Sequence, residues 1–574
     1  MNIYQHVENA IRAIISDLIA AGRLPQGLDC SRITVEPPRD AAHGDLASNA
    51  AMVLARDAGL KPRALAEMLI GDITSLPEIV AASIAGPGFI NMRVAPSLWL
   101  DRLDDIHQAG PSWGDCQLGT GVHVNIEFVS ANPTGPLHAA HARGAIIGDA
   151  LAALLEKAGY NVTREYYIND AGSQVDTLAR SAWLRYREAL GYPIGVIPEG
   201  LYPGEYLKDA GKKLAERHGQ RFLEAAEEEW LPVMRAETIT LMMETIRADL
   251  DRLGITMDIY TSERQLVEQG AVAESIETLE KRGLVYQGVL PPPKGKPDDD
   301  WEPRQQQLFR ATDFGDDTDR PLRKSDGSWT YFASDMAYHL DKLSRGADRL
   351  INIWGADHGG YVKRMQAAVA ALSGRDDALD VRLCQLVNLK DGGKPVKMSK
   401  RAGTFIMLAD VLDSVGKDIL RFIMLTRRND QGMDFDYAKV REQTRENPVF
   451  YVQYAHARAC SVLRQATAVP EAKVPLQGLV DEAELAVVKL LASYPRHVEA
   501  AAEAKEPHRI AFYLMDLAAA FHALWNRGRD NPDLKFIRDD DQALTAARLR
   551  LVGAVAVVIR NGLAIIGVKA AEEM

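Results

Sequence analysis

Cysteine is scarce in this chain and is never closely paired. The 574 residues include four cysteines, Cys30, Cys116, Cys384 and Cys460, and no two of them form a CxxC motif. This spacing argues against structural zinc and against a disulfide framework, and it is typical of proteins from a reducing cytoplasm. We therefore expect a cytoplasmic protein without a dedicated metal site of its own.

Long apolar runs and a positive charge excess are missing as well. No uninterrupted apolar stretch approaches the roughly 18 residues of a membrane span, so we expect no transmembrane helix and no membrane partner. The amphipathic N-terminus, with its early acidic residue, resembles neither a signal nor a transit peptide. The net charge of −12 gives no general support to nucleic-acid binding, although local basic stripes remain compatible with it.

The length and the remaining composition are those of a multidomain globular protein. A chain of 574 residues suggests three or four domains. The hydrophobic fraction of 47% and the charged fraction of 25% are ordinary for soluble domains.

One segment, EFVSANPTGPLHAAHARG at 127–144, brings two histidines to a helix start. Alternating apolar residues at 122–128 predict a strand, the Pro- and Gly-containing stretch breaks it, and a helix begins at about His138. His138 and His141 then share a face of the first turn, beside backbone N–H groups that attract anions. A metal pair or two surface histidines are the alternatives, but no third ligand with zinc-site spacing lies nearby.

A second segment, GGKPVKMSKRAGTF at 392–405, crowds positive charge into a loop. It follows an apolar run at 381–389 that predicts a strand, and its glycines allow the loop to close over an anion. Lysine suits phosphate contact because its compact charge rides on a flexible stem. A solvated surface loop is the alternative. Together, the two segments suggest stabilisation of a nucleoside triphosphate during attack at its α-phosphate.

These segments resemble the two signatures of class I aminoacyl-tRNA synthetases. HAAH at 138–141 resembles the first signature, normally His-x-Gly-His, and KMSK at 397–400 matches the second outright. The chain departs from the pattern at Ala140, where the usual glycine lets adenine lie close against the backbone.

The wider context is similar to bacterial arginyl-tRNA synthetases over essentially the whole chain. The matching stretches are NPTGPLH at 132–138, HARG at 141–144, YINDAGSQ at 167–174, KSDG at 324–327, YFASDMA at 331–337, WGADHG at 354–359 and FYVQYAHAR at 450–458. This resemblance implies ATP-dependent attachment of L-arginine to arginine tRNA through arginyl-adenylate, with release of AMP and pyrophosphate.

The predicted fold class is α/β, with three domains and a connecting segment. Strand-like runs alternating with helices at 118–405 predict a parallel sheet, which the resemblance identifies as a Rossmann-like catalytic domain with a helical insertion at about 175–256. Residues 1–112 predict an α+β unit, by resemblance the additional domain that contacts the tRNA D-loop. Residues 406–440 connect the KMSK loop to a helical anticodon-binding domain at 441–574.

The resemblance also implies roles for individual residues. Catalysis falls to His138, His141, Lys397 and Lys400. The ATP site includes these four residues together with Pro136, Ala140, Asp357, His358, Met398 and Ser399, and Mg²⁺ accompanies the nucleotide. The implied tRNA contacts are Asn49, Tyr454 and Arg458, although core packing is the alternative for the tyrosine.

Arginine recognition calls for carboxylates in a planar fork geometry. Glu127 ends the first predicted strand, and Asp335 lies four residues after Tyr331, on the same helix face. By resemblance, Glu127 and Asn132 hold the α-amino end, while Tyr331 and Asp335 face the guanidinium. Ser130, His141 and Asp357 complete the expected set. Which carboxylate meets which end stays open, and ordinary surface or capping roles are the alternatives.

Two other functions compete with this interpretation. Another class I nucleotidyltransferase or synthetase would share the histidines and lysines but would lack the NPTGPLH context and the long helical C-terminus. A non-catalytic tRNA-binding paralogue should have lost a histidine or a lysine, whereas both pairs are intact. We expect a monomer with ATP, L-arginine and arginine tRNA as its partners.

Overall fold

The computed structural model describes most of the chain. The described residues are 2–38, 40–290, 304–396, 406–442, 444, 446–466 and 474–574. The KMSK residues Lys397, Met398, Ser399 and Lys400 lie outside them.

The N-terminal unit packs helices against a small antiparallel sheet. Its strands follow the order β1-β2-β4-β3. Its elements are α1 (Ile3–Ala20), β1 (Val35–Glu36), β2 (Leu46–Ser48), α2 (Ala50–Leu54), α3 (Pro62–Thr74), β3 (Ile79–Ala85), β4 (Phe89–Val94) and α4 (Pro96–Ala109). In α1, Ile3, Val7, Ile11, Ile15 and Leu18 are buried, which is the helical spacing of a core-facing stripe.

A parallel sheet with its connections makes up the middle of the chain. The elements before its central crossover are β5 (His123–Glu127), α5 (Ala139–Lys157), β6 (Asn161–Ile168), α6 (Ser173–Ala189), α7 (Tyr206–His218), α8 (Glu227–Arg252), β7 (Ile259–Ser262), α9 (Glu263–Glu268), α10 (Ala271–Lys281), β8 (Val285–Gly288), β9 (Gln306–Phe309) and β10 (Arg320–Pro321). The elements that follow are α11 (Tyr331–Ser344), β11 (Arg349–Gly355), α12 (Val362–Ser373), β12 (Leu379–Cys384), β13 (Val387–Asp391) and β14 (Lys394–Pro395).

The parallel sheet has the order β7-β6-β5-β11-β12. The chain runs outward from β5 to β7 and then crosses back to β11, so the winding direction reverses between β5 and β11. In open α/β sheets, ligands bind at this reversal, beyond the carboxyl ends of the strands. Residues 124–127 of β5 are all buried, because helices cover both faces of a parallel sheet.

The predicted strand at 381–389 is wrong as a single element, because two strands occupy it. β12 ends at Cys384 within the central sheet, and β13 begins at Val387 in a separate sheet, where it pairs with β14 on one side and with residues 433–436 on the other. At the break, the buried guanidinium of Arg143 donates to the Gln385 carbonyl oxygen at 3.0 Å. A continuous apolar run does not reveal that its two halves have different partners.

The chain after residue 406 is mostly helical but contains one strand that the sequence did not predict. The elements are α13 (Leu408–Val415), α14 (Lys417–Met424), β15 (Met433–Asp436), α15 (Tyr437–Val440), α16 (Pro448–Gln465), α17 (Glu482–Ala504), α18 (His508–Asp530) and α19 (Gln542–Ile565). By length and composition α19 could cross a membrane, but 67% of its apolar window is buried inside the protein. Its apolar character therefore fits a core helix.

Candidate active site

A strained turn follows β5 at the reversal point of the sheet. The Ser130 N–H donates to the Phe128 carbonyl oxygen at 3.0 Å, which closes a γ-turn, and Val129 takes φ 69° with Ser130 at φ 38°. A positive φ is unusual for a β-branched residue and costs about 1–3 kcal/mol. The Ser130 hydroxyl stabilises the turn, since it donates to Glu127 Oε1 at 3.0 Å and accepts from the Tyr167 N–H at 3.1 Å.

The two signature histidines stack at the start of α5. His138 is the N-cap residue, with extended backbone, and its ring centroid lies 3.8 Å from that of His141. The His138 backbone N–H donates to Nδ1 of His141 at 3.2 Å. Because Nδ1 accepts this bond, the neutral ring of His141 carries its proton on Nε2. Both rings thus lie beside a helix N-terminus, whose backbone N–H groups favour anions.

The first signature is fixed from two sides. Behind it, Asp249 of α8 accepts from the Leu137 N–H at 3.3 Å. In front of it, the Ala139 N–H donates to the Ile406 carbonyl oxygen at 3.0 Å and the Leu408 N–H to the Leu137 carbonyl oxygen at 2.8 Å. The segment that follows the KMSK loop is thus tied to the segment that carries the histidines.

A cavity of about 610 Å³ lies at the reversal point, which is the usual size for a cofactor or nucleotide site. Three segments form it: the turn after β5 with the start of α5, the end of β11, and the break between β12 and β13. Its lining includes Ser130, Asn132, His138, Ala140, His141, Asp357, His358 and Leu386. A second cavity of about 400 Å³ adjoins it and is lined by Asn132, Pro136, His138, His141, Gln174 and Tyr206.

Ala140, Asp357 and His358 all border the larger cavity. Ala140 is exposed, so its methyl group faces space that a glycine would have left open. His358 Nε2 lies 3.6 Å from Asp357 Oδ2, and both side chains are well exposed.

Two carboxyl groups with raised pKa values mark a separate part of the site. Burial raises the pKa of Asp335 to about 7, against a hydrogen bond from the Tyr361 hydroxyl, which lies 2.6 Å from Asp335 Oδ2. Burial, together with the charges of Asp335 and Asp170, raises the pKa of Glu263 to about 7. Among the described residues, Glu263 Oε2 is buried without a hydrogen-bond donor, and neither Asp335 nor Glu263 forms an ion pair. Such a pair suits a cationic ligand.

The other predicted arginine contacts fall into different environments. Tyr331 is 64% exposed, on the same face of α11 as Asp335, and its hydroxyl lies beside Gly172. The Asn132 amide donates to Gln174 Oε1 at 3.1 Å. Glu127 is 6% exposed, and its Oε2 is already bound by the buried ammonium of Lys342 at 2.6 Å.

Sequence reasoning missed Glu263 and Lys342. Glu263 follows β7, whose carboxyl end lies at the same sheet edge as those of β5 and β6, so predicting β7 would have pointed to it. A lysine near the end of a predicted helix looks like a solvated residue, so nothing local distinguished Lys342.

The predicted tRNA contacts lie in the two flanking domains. Tyr454 is 43% exposed, and the Arg458 guanidinium lies 4.5 Å from its ring centroid and 4.6 Å from that of Trp525. Asn49 bonds within its own domain, since its Oδ1 accepts from the Thr34 N–H at 2.8 Å. Within the described residues, no group of three or more His, Cys, Asp or Glu side chains could hold a metal ion.

The reversal-point cavity with its paired histidines, together with the KMSK sequence at 397–400, defines a class I aminoacyl-tRNA synthetase. Family models agree: tRNA synthetases class I (R), catalytic domain, matches residues 112–458. Arginyl tRNA synthetase N terminal domain matches 4–94, and DALR anticodon binding domain matches 452–574.

Individual relatives point to the same family. The arginine–tRNA ligases of Parvibaculum lavamentivorans and Xanthobacter autotrophicus are each 56% identical to this chain, over 100% of both sequences. The arginyl-tRNA synthetase of Thermus thermophilus has the same fold, with a TM-score of 0.74 at 21% identity over 100% of both chains. The chain belongs to the arginyl-tRNA synthetase family and is an arginine–tRNA ligase.

Proposed function

We propose that the cavity at the sheet reversal carries out both steps of arginine–tRNA ligation. In the first step, the carboxylate of arginine attacks the α-phosphorus of ATP, which expels pyrophosphate and leaves arginyl-adenylate. Negative charge is redistributed over the α-phosphate and the leaving group, so preorganised donors supply most of the rate enhancement. The observation that carries this proposal is the position of His138 and His141 at the N-terminus of α5, on the wall of the cavity at the sheet reversal.

We assign the two lysines of the second signature to stabilising the same negative charge, on the α-phosphate and the leaving pyrophosphate. Lys397 and Lys400 lie in the sequence between Val387 and Met407, and these two described residues line the two cavities beside the histidines. Ser399 and Met398 complete the loop's contacts with ATP, and Pro136, Ala140, Asp357 and His358 border the nucleotide. Mg²⁺ that accompanies the nucleotide would neutralise part of the phosphate charge.

Arginine lies across the turn after β5, with its two ends in different surroundings. The α-amino end lies near Asn132, Ser130 and Glu127, while His141 and Asp357 border its carboxylate. The guanidinium enters the acidic pocket of Asp335 and Glu263, beneath Tyr331. Two carboxyl groups with raised pKa values, the buried Glu263 and the half-buried Asp335, support this orientation, because a planar cation with five N–H donors is a ligand that can satisfy both.

The second step transfers the arginyl group to tRNA. The terminal ribose hydroxyl of the tRNA attacks the acyl carbon and expels AMP. We assign the anticodon to the helical unit at 441–574, with Tyr454 and Arg458 stacked on its surface, and the D-loop to residues 1–112, including Asn49. An exposed tyrosine beside a guanidinium is a platform on which a base can stack. Residues 406–440 connect this unit to the catalytic domain at 118–405, whose helical insertion spans about 175–256.

The proposal is tested by product stoichiometry. Purified enzyme, ATP, radiolabelled arginine and arginine tRNA should yield one AMP and one pyrophosphate for each arginyl-tRNA formed. Release of ADP, or charging without AMP, would contradict the adenylate route. The same preparation, analysed by size-exclusion chromatography with light scattering, should be a monomer, and in cells the enzyme should lie in the cytoplasm.

A further inference from the structure

A polar layer separates α11 from the central sheet, where apolar packing is usual. Lys342 is fully buried, and its ammonium lies 2.6 Å from Glu127 Oε2 and 3.4 Å from Asn352 Oδ1. It also lies 4.1 Å from the ring centroid of Tyr338. A buried lysine is costly unless it is paired, and Glu127 is the charge that pairs it.

A continuous set of hydrogen bonds runs from this ammonium to the wall of the active-site cavity. Lys342 holds one oxygen of Glu127, the other oxygen accepts from the Ser130 hydroxyl at 3.0 Å, and that hydroxyl accepts from the Tyr167 N–H at 3.1 Å. Ser130 is one end of the strained γ-turn, and Val129 and Ser130 both line the cavity. Lys342 itself does not line it.

We propose that Lys342 is a positioning residue for arginine, which acts through Glu127 and Ser130 to hold the strained turn at the end of β5. The proposal rests on the arginine orientation given above. Without the ammonium, Glu127 becomes an unpaired buried carboxylate, which must gain a proton or move toward water. Either change weakens the hold on Ser130, and the turn can relax toward ordinary backbone geometry.

The expected defect is selective for one substrate. The turn borders the α-amino half of the proposed arginine site, whereas the proposed nucleotide site also includes the end of β11 and the β12–β13 break. Lys342 meets β11 only at Asn352, which does not line the cavity. Lys342→Met, which keeps the length of the side chain, should raise KM for arginine about 30-fold or more. KM for ATP should change less than threefold.

A matched control lies on the same helix. Arg345 also forms an ion pair beneath α11, with its Nη2 at 2.8 and 2.9 Å from the two Glu165 oxygens, but it contacts neither Glu127 nor Ser130. Arg345→Met should lower the melting temperature while leaving the ratio of the two KM values unchanged. A purely structural role for Lys342 predicts the same behaviour in Lys342→Met.

A double-mutant cycle separates positioning from direct substrate binding. Glu127→Gln removes the buried charge but keeps an oxygen that can accept from Ser130. In that background, Lys342→Met should raise KM for arginine less than threefold, because no unpaired carboxylate is left to displace the turn. Equal effects of Lys342→Met in the two backgrounds would overturn the proposal.

The measurement is arginine-dependent ATP–pyrophosphate exchange in the presence of arginine tRNA, with active sites counted by the adenylate burst. Wild-type enzyme that fails to activate arginine would refute the proposed function. If the wild-type enzyme is active and Lys342→Met has an unchanged arginine KM, only the role of Lys342 is refuted. The same holds if Lys342→Met lowers only the fraction of active enzyme and the melting temperature.

Discussion

Arg421 and Asp149 form a buried ion pair, with Nη2 2.5 Å from Oδ2. Arg421 of α14 is fully buried, while Asp149 lies on α5, the helix that begins with the signature histidines. The same guanidinium donates to the Ile566 carbonyl oxygen at 2.8 Å and to the Leu253 carbonyl oxygen at 3.1 Å. The Arg421 side chain therefore joins the end of α19, in the C-terminal helical unit at 441–574, to α5 and to the end of α8.

Loss of this contact should weaken the coupling between tRNA binding and arginine activation. We expect arginine tRNA to favour activation of arginine through a shift in population toward the competent state. Arg421→Met should therefore lower the stimulation of pyrophosphate exchange by arginine tRNA about tenfold or more. Gly567→Ala should act similarly, because a Cβ at Gly567 would lie 2.3 Å from that guanidinium.

The control for this prediction is a buried arginine inside the bundle. Arg548 pairs with Glu484 at 2.6 Å and makes no contact with α5. Arg548→Met should destabilise the protein but keep the stimulation by tRNA. Equal stimulation in wild type and Arg421→Met would show that the coupling takes another route.

Specificity for arginine should depend on the two carboxyl groups of the acidic pocket. Asp335→Asn and Glu263→Gln each keep the side-chain size but remove a charge that faces the guanidinium. Each should weaken arginine use by about 2–5 kcal/mol, as for truncating one partner of a buried charge pair. The KM for ATP should stay near the wild-type value. As a control, Asp341→Asn, at a partly exposed position on the same helix, should have an arginine KM near that of the wild type. Wild-type kinetics in Asp335→Asn would place the guanidinium elsewhere.

Arginine binding should depend on pH near neutrality. Burial raises the pKa values of Asp335 and Glu263 to about 7, whereas both groups titrate near about 4 in an unfolded chain. Their contribution to the stability of the free enzyme is thus complete below about pH 4 and is lost as the pH rises through about 7. Since the guanidinium favours the ionised forms, the arginine KM should fall between about pH 5.5 and 8.

The same titration should appear in thermal melts. The rise in melting temperature on adding arginine should be larger at about pH 8 than at about pH 5.5, because the ligand offsets a repulsion that exists only when the carboxyl groups ionise. Glu263→Gln should flatten the profile. An arginine KM that does not change over this range in the wild type would contradict the assignment of the pocket.

The KMSK loop carries a separate prediction. Lys400→Ala should lower the rate of arginine activation about 10²–10³-fold, near the cost of losing one donor to the transition state. ATP affinity should change much less, because the contact strengthens as charge develops on the leaving group. A raised ATP KM with unchanged kcat in rapid-quench kinetics would assign Lys400 to ground-state binding instead.

Local pattern was enough to predict the main architecture. The alternation at 122–128 and the break from strand to helix around His138 predicted β5 and α5 closely, because periodicity and turn residues report local structure directly. The split between β12 and β13 and the strand β15 escaped prediction, since pairing between distant segments leaves no local mark.

The residues of the candidate site likewise fall into those that the sequence predicted and those that it did not. Signature motifs pointed to His138 and His141, and the structure places both at the start of α5. Sequence analysis did not find Lys342 and Glu263, because their burial and their contacts depend on segments that are distant in the sequence. A buried ion pair such as that of Glu127 and Lys342 is visible only once two distant elements pack together.

The most direct test of the proposed function is ATP–pyrophosphate exchange with each of the twenty amino acids, with and without arginine tRNA. We predict that L-arginine is the only one of the twenty amino acids that supports exchange. Its exchange rate should be near background without tRNA and should rise when arginine tRNA is added. Robust exchange without tRNA would contradict the coupling through the helical bundle. Exchange with another amino acid, or with none, would contradict the function itself.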